Sequence, residues 1–447
     1  MKKSILIAVL VVTLIISFSL VSLAAENWGN INWKQFAGTE LNVICYKSGT
    51  TDRFIPKWKE FTAQTGIKVN YQQFVDADRK KIELVDFATG RGQFDVVVVG
   101  IANREEFAVP GYLEPLDKYL NDPKLTDLEW YNFEDYTKDI IGGGITKAGD
   151  LVYIPWAAQY YALWYRTDIF DQLGLKPPAT WDEYVQVTKA LDDARKAGKI
   201  TAYAYVDRAL PGSSEGGWSM FCTASCMGLE LVDFDNMVSN MNTPKGIEFM
   251  DWYTSWLMNY GPPGCSNWTW PEIAQAISQG QIAMCRAGVS SYKPVEDPAT
   301  SIVAGKIGYV PPVMKDGGKD PLWEWGWGIN AASKVKEAAW LAIEWITSPN
   351  VMNEVGPLYG TPARASVYDL PAFKEAMPSA QLLDTIKWML AQGLDPDSQM
   401  NNVKYAEASD IISKEMNSVV AGIKDVKTAC ADIDTAFEKL GIKPAAK

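Results

Sequence analysis

Histidine is absent from all 447 residues, which removes the commonest general base and the commonest transition-metal ligand. Cysteine is sparse: six copies in a chain of this length cannot be the main staple of the fold. Cys222 and Cys226 would meet on one helix face and Cys265 and Cys285 flank one predicted helix, but the sequence leaves their pairing open. Paired CxxC knuckles are missing, so a four-cysteine zinc site lacks its spacing. Positive charge is also short, with 42 Lys and Arg against 54 Asp and Glu for a net −12, and polyanionic partners are disfavoured. The longest basic run, Arg79-Lys80-Lys81, is flanked by Asp76, Asp78 and Glu83 in the manner of a solvated helix face. Nucleic-acid binding is set aside. Gly142-Gly143-Gly144 lacks the lysine and hydroxyl of a phosphate-cradling loop and reads as a flexible turn. Asp395, Asp397 and Gln399 imitate the opening of a calcium loop, but Met400 stands where glycine is needed and no glutamate completes it. No cofactor and no metal is expected.

The residues present say more. Met1-Lys2-Lys3, an apolar run from Ile5 to Leu20 and the ending Ser22-Leu23-Ala24-Ala25 read as a secretory signal peptide over 1–25, cut after Ala24 or Ala25. No cysteine lies near the cut, so a lipid anchor there is not available, and a soluble periplasmic or otherwise extracytoplasmic protein is expected. Without Lys2 and Lys3, 40 basic residues remain against 54 acidic ones, a net charge of −14. Tryptophan and tyrosine, with 18 and 20 copies, are abundant, and several fall in turn-rich segments. Such rings suit a concave site that stacks on the flat apolar face of a ligand.

A length prior of roughly 150 residues per domain gives two or three domains, and two larger α/β units fit best. Leu41–Tyr46 reads as a buried strand, Arg53–Thr65 as an amphipathic helix stopped by Gly66, and Ile67–Gln72 as a strand. A helix over Lys80–Thr89 leads to Phe94–Val99, an apolar run of the kind covered on both faces. The alternation implies an open, largely parallel sheet, whose ligands sit beyond the carboxyl ends of the strands. A second unit is expected from Tyr153. There Thr180-Trp181-Asp182-Glu183 forms a capping box for a helix to Ala197, and Thr243-Pro244 starts another that ends before Gly261. Ile273–Ser278 and Lys334–Thr347 read as further helices.

Several segments recur in a recognisable order: Ser48-Gly49-Thr50 after the first strand, Phe61–Val69, Phe94–Val97, Gly111–Leu116, and Ile154-Pro155-Trp156 leading to Leu163–Asp168. Pro178–Glu183, Trp327–Asn330 and Gly360–Arg364 complete the series. In this order the chain resembles bacterial extracellular solute-binding proteins of the sugar-binding group that serve ABC importers, the maltose-binding protein family. The resemblance implies a type II-like periplasmic binding fold: two lobes, each a largely parallel sheet flanked by helices, joined by three crossing segments around a ligand cleft. It places the crossings near Ala158–Tyr160, Trp323–Gly328 and Tyr359–Pro362. Lobe one would hold 26–157 plus 328–360 and lobe two 158–327 plus 361–447, with Gly326, Gly328 and Gly360 suited to hinges.

The function so implied is capture of a sugar or polyol between the lobes and delivery to an ABC transporter permease, by a monomer without catalytic activity. Hydroxyls want bidentate polar partners and a ring wants an aromatic surface. From the matched segments the candidates are Ser48, Asp52, Asn103, Gln159, Tyr160 and Trp218, the last in an expected Gly216-Gly217-Trp218 turn, followed by Trp268, Arg286, Trp325 and Arg364. Asp and Glu are abundant, so a secreted carbohydrate-active enzyme such as a glycosidase using paired carboxylates is the alternative.

Overall fold

A computed structural model describes residues 27–212, 215–359, 361–392 and 402–446. The expected signal peptide, Gly360 and the Asp395–Met400 segment lie outside the described residues. Strand β1 (Glu40–Tyr46) buries Leu41 and Val43 to Cys45. Helix α1 (Phe54–Thr65) places Phe54, Trp58 and Phe61 against the sheet and stops at Gly66, whose φ of 76° is the left-handed cap that glycine adopts most easily. Strand β2 (Lys68–Phe74) runs parallel to β1, pairing Glu40 with Lys68 through to Tyr46 with Phe74. Helix α2 (Asp76–Thr89) begins four residues earlier than the periodicity suggests, with Asp76 and Asp78 in its first turn where the helix dipole favours acid. In strand β3 (Val96–Gly100) every residue is buried.

After helix α3 (Lys138–Gly143), strand β4 (Ile154–Gln159) joins this first sheet, and strand β5 (Tyr161–Arg166) begins a second one. Helices α4 (Trp181–Lys196), α5 (Gly216–Cys226) and α6 (Pro244–Tyr260) pack in the second body. The Thr180–Glu183 capping box and the Thr243 cap both form as the sequence reads. Strands β6 (Met284–Gly288) and β7 (Ile307–Val310) flank β5. Strand β8 (Trp323–Ile329) then returns to the first sheet, whose order is β2-β1-β3-β8-β4, and helix α7 (Lys336–Ile346) covers it.

Several expectations change here. The second sheet is antiparallel at both pairings of β5, with parallel bridges at Tyr203–Ile282 and Val206–Cys285 beside it. Trp323–Gly328 is no crossing: it is β8, bonded on both sides to β3 and β4, so the link between sheets is 311–322. Pro362 and Arg364 bridge Ala157 and Tyr136, and the chain meets the second body further on, where the Ala376 carbonyl accepts from the Tyr292 hydroxyl at 2.8 Å and Gln381 of the helix Ala380–Gln392 accepts from the Tyr309 amide at 3.0 Å. Gly326 and Gly328 are also closely packed. A Cβ on Gly326 would overlap the Tyr153 ring, and one on Gly328 would lie 2.9 Å from the Val152 carbonyl oxygen. Gly143, expected in a flexible turn, ends α3 packed so closely on Glu324 that a Cβ would overlap the carboxylate.

Candidate functional site

The carboxyl ends of β1, β3 and β4 and the start of the antiparallel β8 lie along one edge of the first sheet. That edge presents Tyr46, Gly100, Gln159, Trp323 and Trp325. Alternation on β8 places Trp323 and Trp325 two residues apart, ring centroids 5.7 Å from each other. The Trp325 ring lies 4.7 Å from Tyr46, and Trp323 meets Trp218 of α5 edge to face at 4.5 Å. Trp218 in turn is 5.6 Å from Tyr161 on β5. A continuous row of five rings therefore crosses from the first sheet to the second body at the strand ends.

Charged groups flank the row. Arg79 lies over Trp325 at 5.7 Å, and Arg208 and Arg286 over Tyr161 at 6.0 and 5.2 Å. Glu215 stands 3.9 Å from Arg208. Burial raises the Glu215 carboxyl above its usual range, opposed by Arg208 and reinforced by Glu272 and by Asp76 on the opposite body. The two bodies also touch away from the row, where Lys147 pairs with Asp235 at 2.7 Å and Lys293 donates to the Leu358 carbonyl at 2.7 Å. Rings, carboxylates and guanidinium groups facing one another in this way can hold an uncharged polyhydroxylated molecule by stacking and hydrogen bonding.

The expected site residues divide. Trp325, Gln159, Ser48, Asp52 and Asn103 all follow or flank strand ends on this edge. Asp52 is exposed, Ser48 is tied to the Thr51 hydroxyl at 3.2 Å, and Asn103 donates to Glu106 at 3.0 Å. Gln159 accepts from Ser290 at 2.6 Å and lies on Gly288 of the second sheet, so it sits where the bodies join. Trp218 belongs to the row but is 1% exposed and helical, not in a turn, because its glycines form the first turn of α5. Trp268 is half-buried, and its carbonyl accepts from the amides of Ala209 and Leu210, next to Arg208.

Three candidates are built into the interior. Tyr160 is fully buried between β4 and β5. Arg286 pairs with Asp320 at 2.5 Å behind Tyr161, lining a cavity of about 30 Å³ inside the second body. Arg364 is fully buried, with donors on the carbonyls of Thr347, Asn132 and Tyr131 at 2.7, 2.9 and 2.8 Å, which leaves little for a ligand. Conversely, Tyr46, Asp76, Arg79, Arg208, Glu215 and Trp323 come together here without having been singled out. For Trp323 a signal existed, the alternating Trp323-Glu324-Trp325; Arg208 and Glu215 carry none.

The family model for bacterial extracellular solute-binding proteins matches residues 47–353. The erythritol/L-threitol-binding protein of Mycolicibacterium smegmatis is 26% identical over 381 residues, 82% of this chain and 79% of that one. The mannitol-binding protein of Pseudomonas aeruginosa is 27% identical over 312 residues, 68% of each chain. An ABC transporter solute-binding protein of Agrobacterium radiobacter, solved with ribitol, matches with a TM-score of 0.80 at 23% identity, covering 90% of this chain and 99% of that one.

Proposed function

Since the chain belongs to the family of bacterial extracellular solute-binding proteins, we propose that it captures an acyclic polyol between its two lobes and delivers it to the permease of an ABC importer. The observation that carries this reading is the row Tyr46, Trp325, Trp323, Trp218 and Tyr161, which joins the two bodies at the strand ends. A polyol chain has a C–H face for such rings and hydroxyls for Gln159, Asp76, Glu215 and the Arg208 guanidinium. The polyol preference follows the erythritol/L-threitol-binding and mannitol-binding relatives. Closure of the lobes excludes water from the ligand and marks the loaded state for the importer. The protein works as an exported monomer released from its signal peptide, and it binds without turnover.

Calorimetric titration with erythritol, ribitol, D-mannitol and maltose tests the reading: one saturable, stoichiometric isotherm is expected from a polyol, with the ligand recovered unchanged. Trp325→Ala removes a rigid stacking surface, and the loss expected is roughly 2 kcal/mol, about thirtyfold in Kd. Accumulating hydrolysis products, or parent affinity in Trp325→Ala, would refute the reading.

A further inference from the structure

Behind Trp325 lies a guanidinium with no role in the reading above. Arg79, in the first turns of α2, is fully buried although its run reads as a solvated helix face. Its Nε donates to Asp76 Oδ1 at 2.8 Å, and its Nη1 donates to Glu83 and, at 3.2 Å, to the Val98 carbonyl. Glu83 is buried as well, whereas the Asp76 side chain is 43% exposed, so the bridge runs from the interior of the lobe to the cleft rim. A buried arginine–glutamate pair is seldom more stable than well-packed apolar residues of the same volume. Its value here lies in what it orients. The Trp325 ring rests so closely on β3 that a Cβ on Gly100 would lie 2.8 Å from it, with Tyr46 at 4.7 Å and the guanidinium carbon of Arg79 at 5.7 Å. Backbone, ring and cation all pack against the indole.

We propose that Arg79 is a positioning residue for ligand capture, holding the Trp325 ring in the plane that a ligand stacks upon. This rests on Trp325 being the platform. A cation over an indole is attracted by the ring quadrupole, and a ring already ordered before binding loses less freedom when a ligand arrives. Arg79 acts through Trp325 and touches no ligand itself.

The test compares Trp325→Ala, Arg79→Lys and the double variant Arg79→Met/Glu83→Met, which removes both buried charges so that neither is stranded. Affinity for ribitol and D-mannitol is titrated, and the Trp325 resonance is followed by fluorine NMR of 5-fluorotryptophan-labelled protein, assigned by its loss in Trp325→Ala. The double variant should melt near the parent, bind about tenfold more weakly and broaden or shift the Trp325 signal. Arg79→Lys, which keeps Glu83 paired but loses the planar fork, should move both readouts the same way and supplies them if the double variant unfolds. Parent affinity with an unmoved Trp325 resonance in either Arg79 variant, alongside weakened binding in Trp325→Ala, overturns the role of Arg79 and leaves the platform standing. Unchanged binding in Trp325→Ala overturns the platform and the proposal with it.

Discussion

Replacing Arg364 by alanine should unfold the protein more readily while leaving the affinity of the folded fraction intact. The guanidinium donates to the carbonyls of Thr347, Asn132 and Tyr131 and faces Asp135 at 3.4 Å. It is also sandwiched between the rings of Tyr131 and Tyr136 at 4.9 and 4.6 Å. After truncation the Thr347 carbonyl keeps the Tyr136 hydroxyl at 3.4 Å, and Asp135 keeps the amide and hydroxyl of Ser366, each at 2.8 Å. The Asn132 carbonyl likewise keeps the Asp135 amide at 3.1 Å, so the Tyr131 carbonyl is the one that loses its donor, at about 1–3 kcal/mol. Loss of the two cation–ring contacts adds about 1–2 kcal/mol. The total is about 3 kcal/mol, well above the effect of a typical surface substitution. Urea denaturation followed by tryptophan fluorescence measures it, and titration with a bound polyol at low temperature measures affinity. Arg364→Lys, able to serve only part of the fork, should fall between. A parent-like urea midpoint together with a tenfold loss of affinity would refute the reasoning and return Arg364 to the cleft.

Glu344 on α7 is buried with neither carboxylate oxygen hydrogen-bonded, and burial, aided by Asp127, pushes its pKa from 4.5 up to about 9. A pKa raised by folding stabilises the fold below about 4.5 and loses that contribution as pH rises towards 9. Glu344→Gln should therefore gain on the parent between pH 5 and pH 8 in urea denaturation, and identical pH dependence in both proteins would contradict the assignment. All six cysteines are buried and unpaired. Ellman's reagent should accordingly titrate none in the native protein and six per chain in denaturant; a smaller count in denaturant would reveal a disulfide.

Local signals were legible. The uninterrupted Val96–Val99 run became a strand covered on both faces, the glycine after Thr65 ended α1 in a left-handed cap, and Thr180 with Glu183 closed a capping box. The order of motifs around them also carried the two-lobed fold. The site was legible only in part. Trp325 and Gln159 stand at strand ends, where the alternation of elements puts ligands, but Trp218 reads as a turn residue until helix α5 forms around it. The acidic flanks of Arg79 look like solvent partners in sequence, yet Glu83 turns inward beside it.

The sequence by itself determined the α/β alternation, the caps, the strand ends on which a site could be built and the chemical types available there, because each depends on neighbours a few residues apart. Tertiary structure alone decided which of those residues meet. Trp218 finds Trp323, and Arg364 finds the Tyr131 carbonyl, each across more than a hundred residues. An arginine holding backbone carbonyls in the interior and an arginine facing a cleft carry the same charge and the same pattern in one dimension. Only burial and the geometry of the donors separate them.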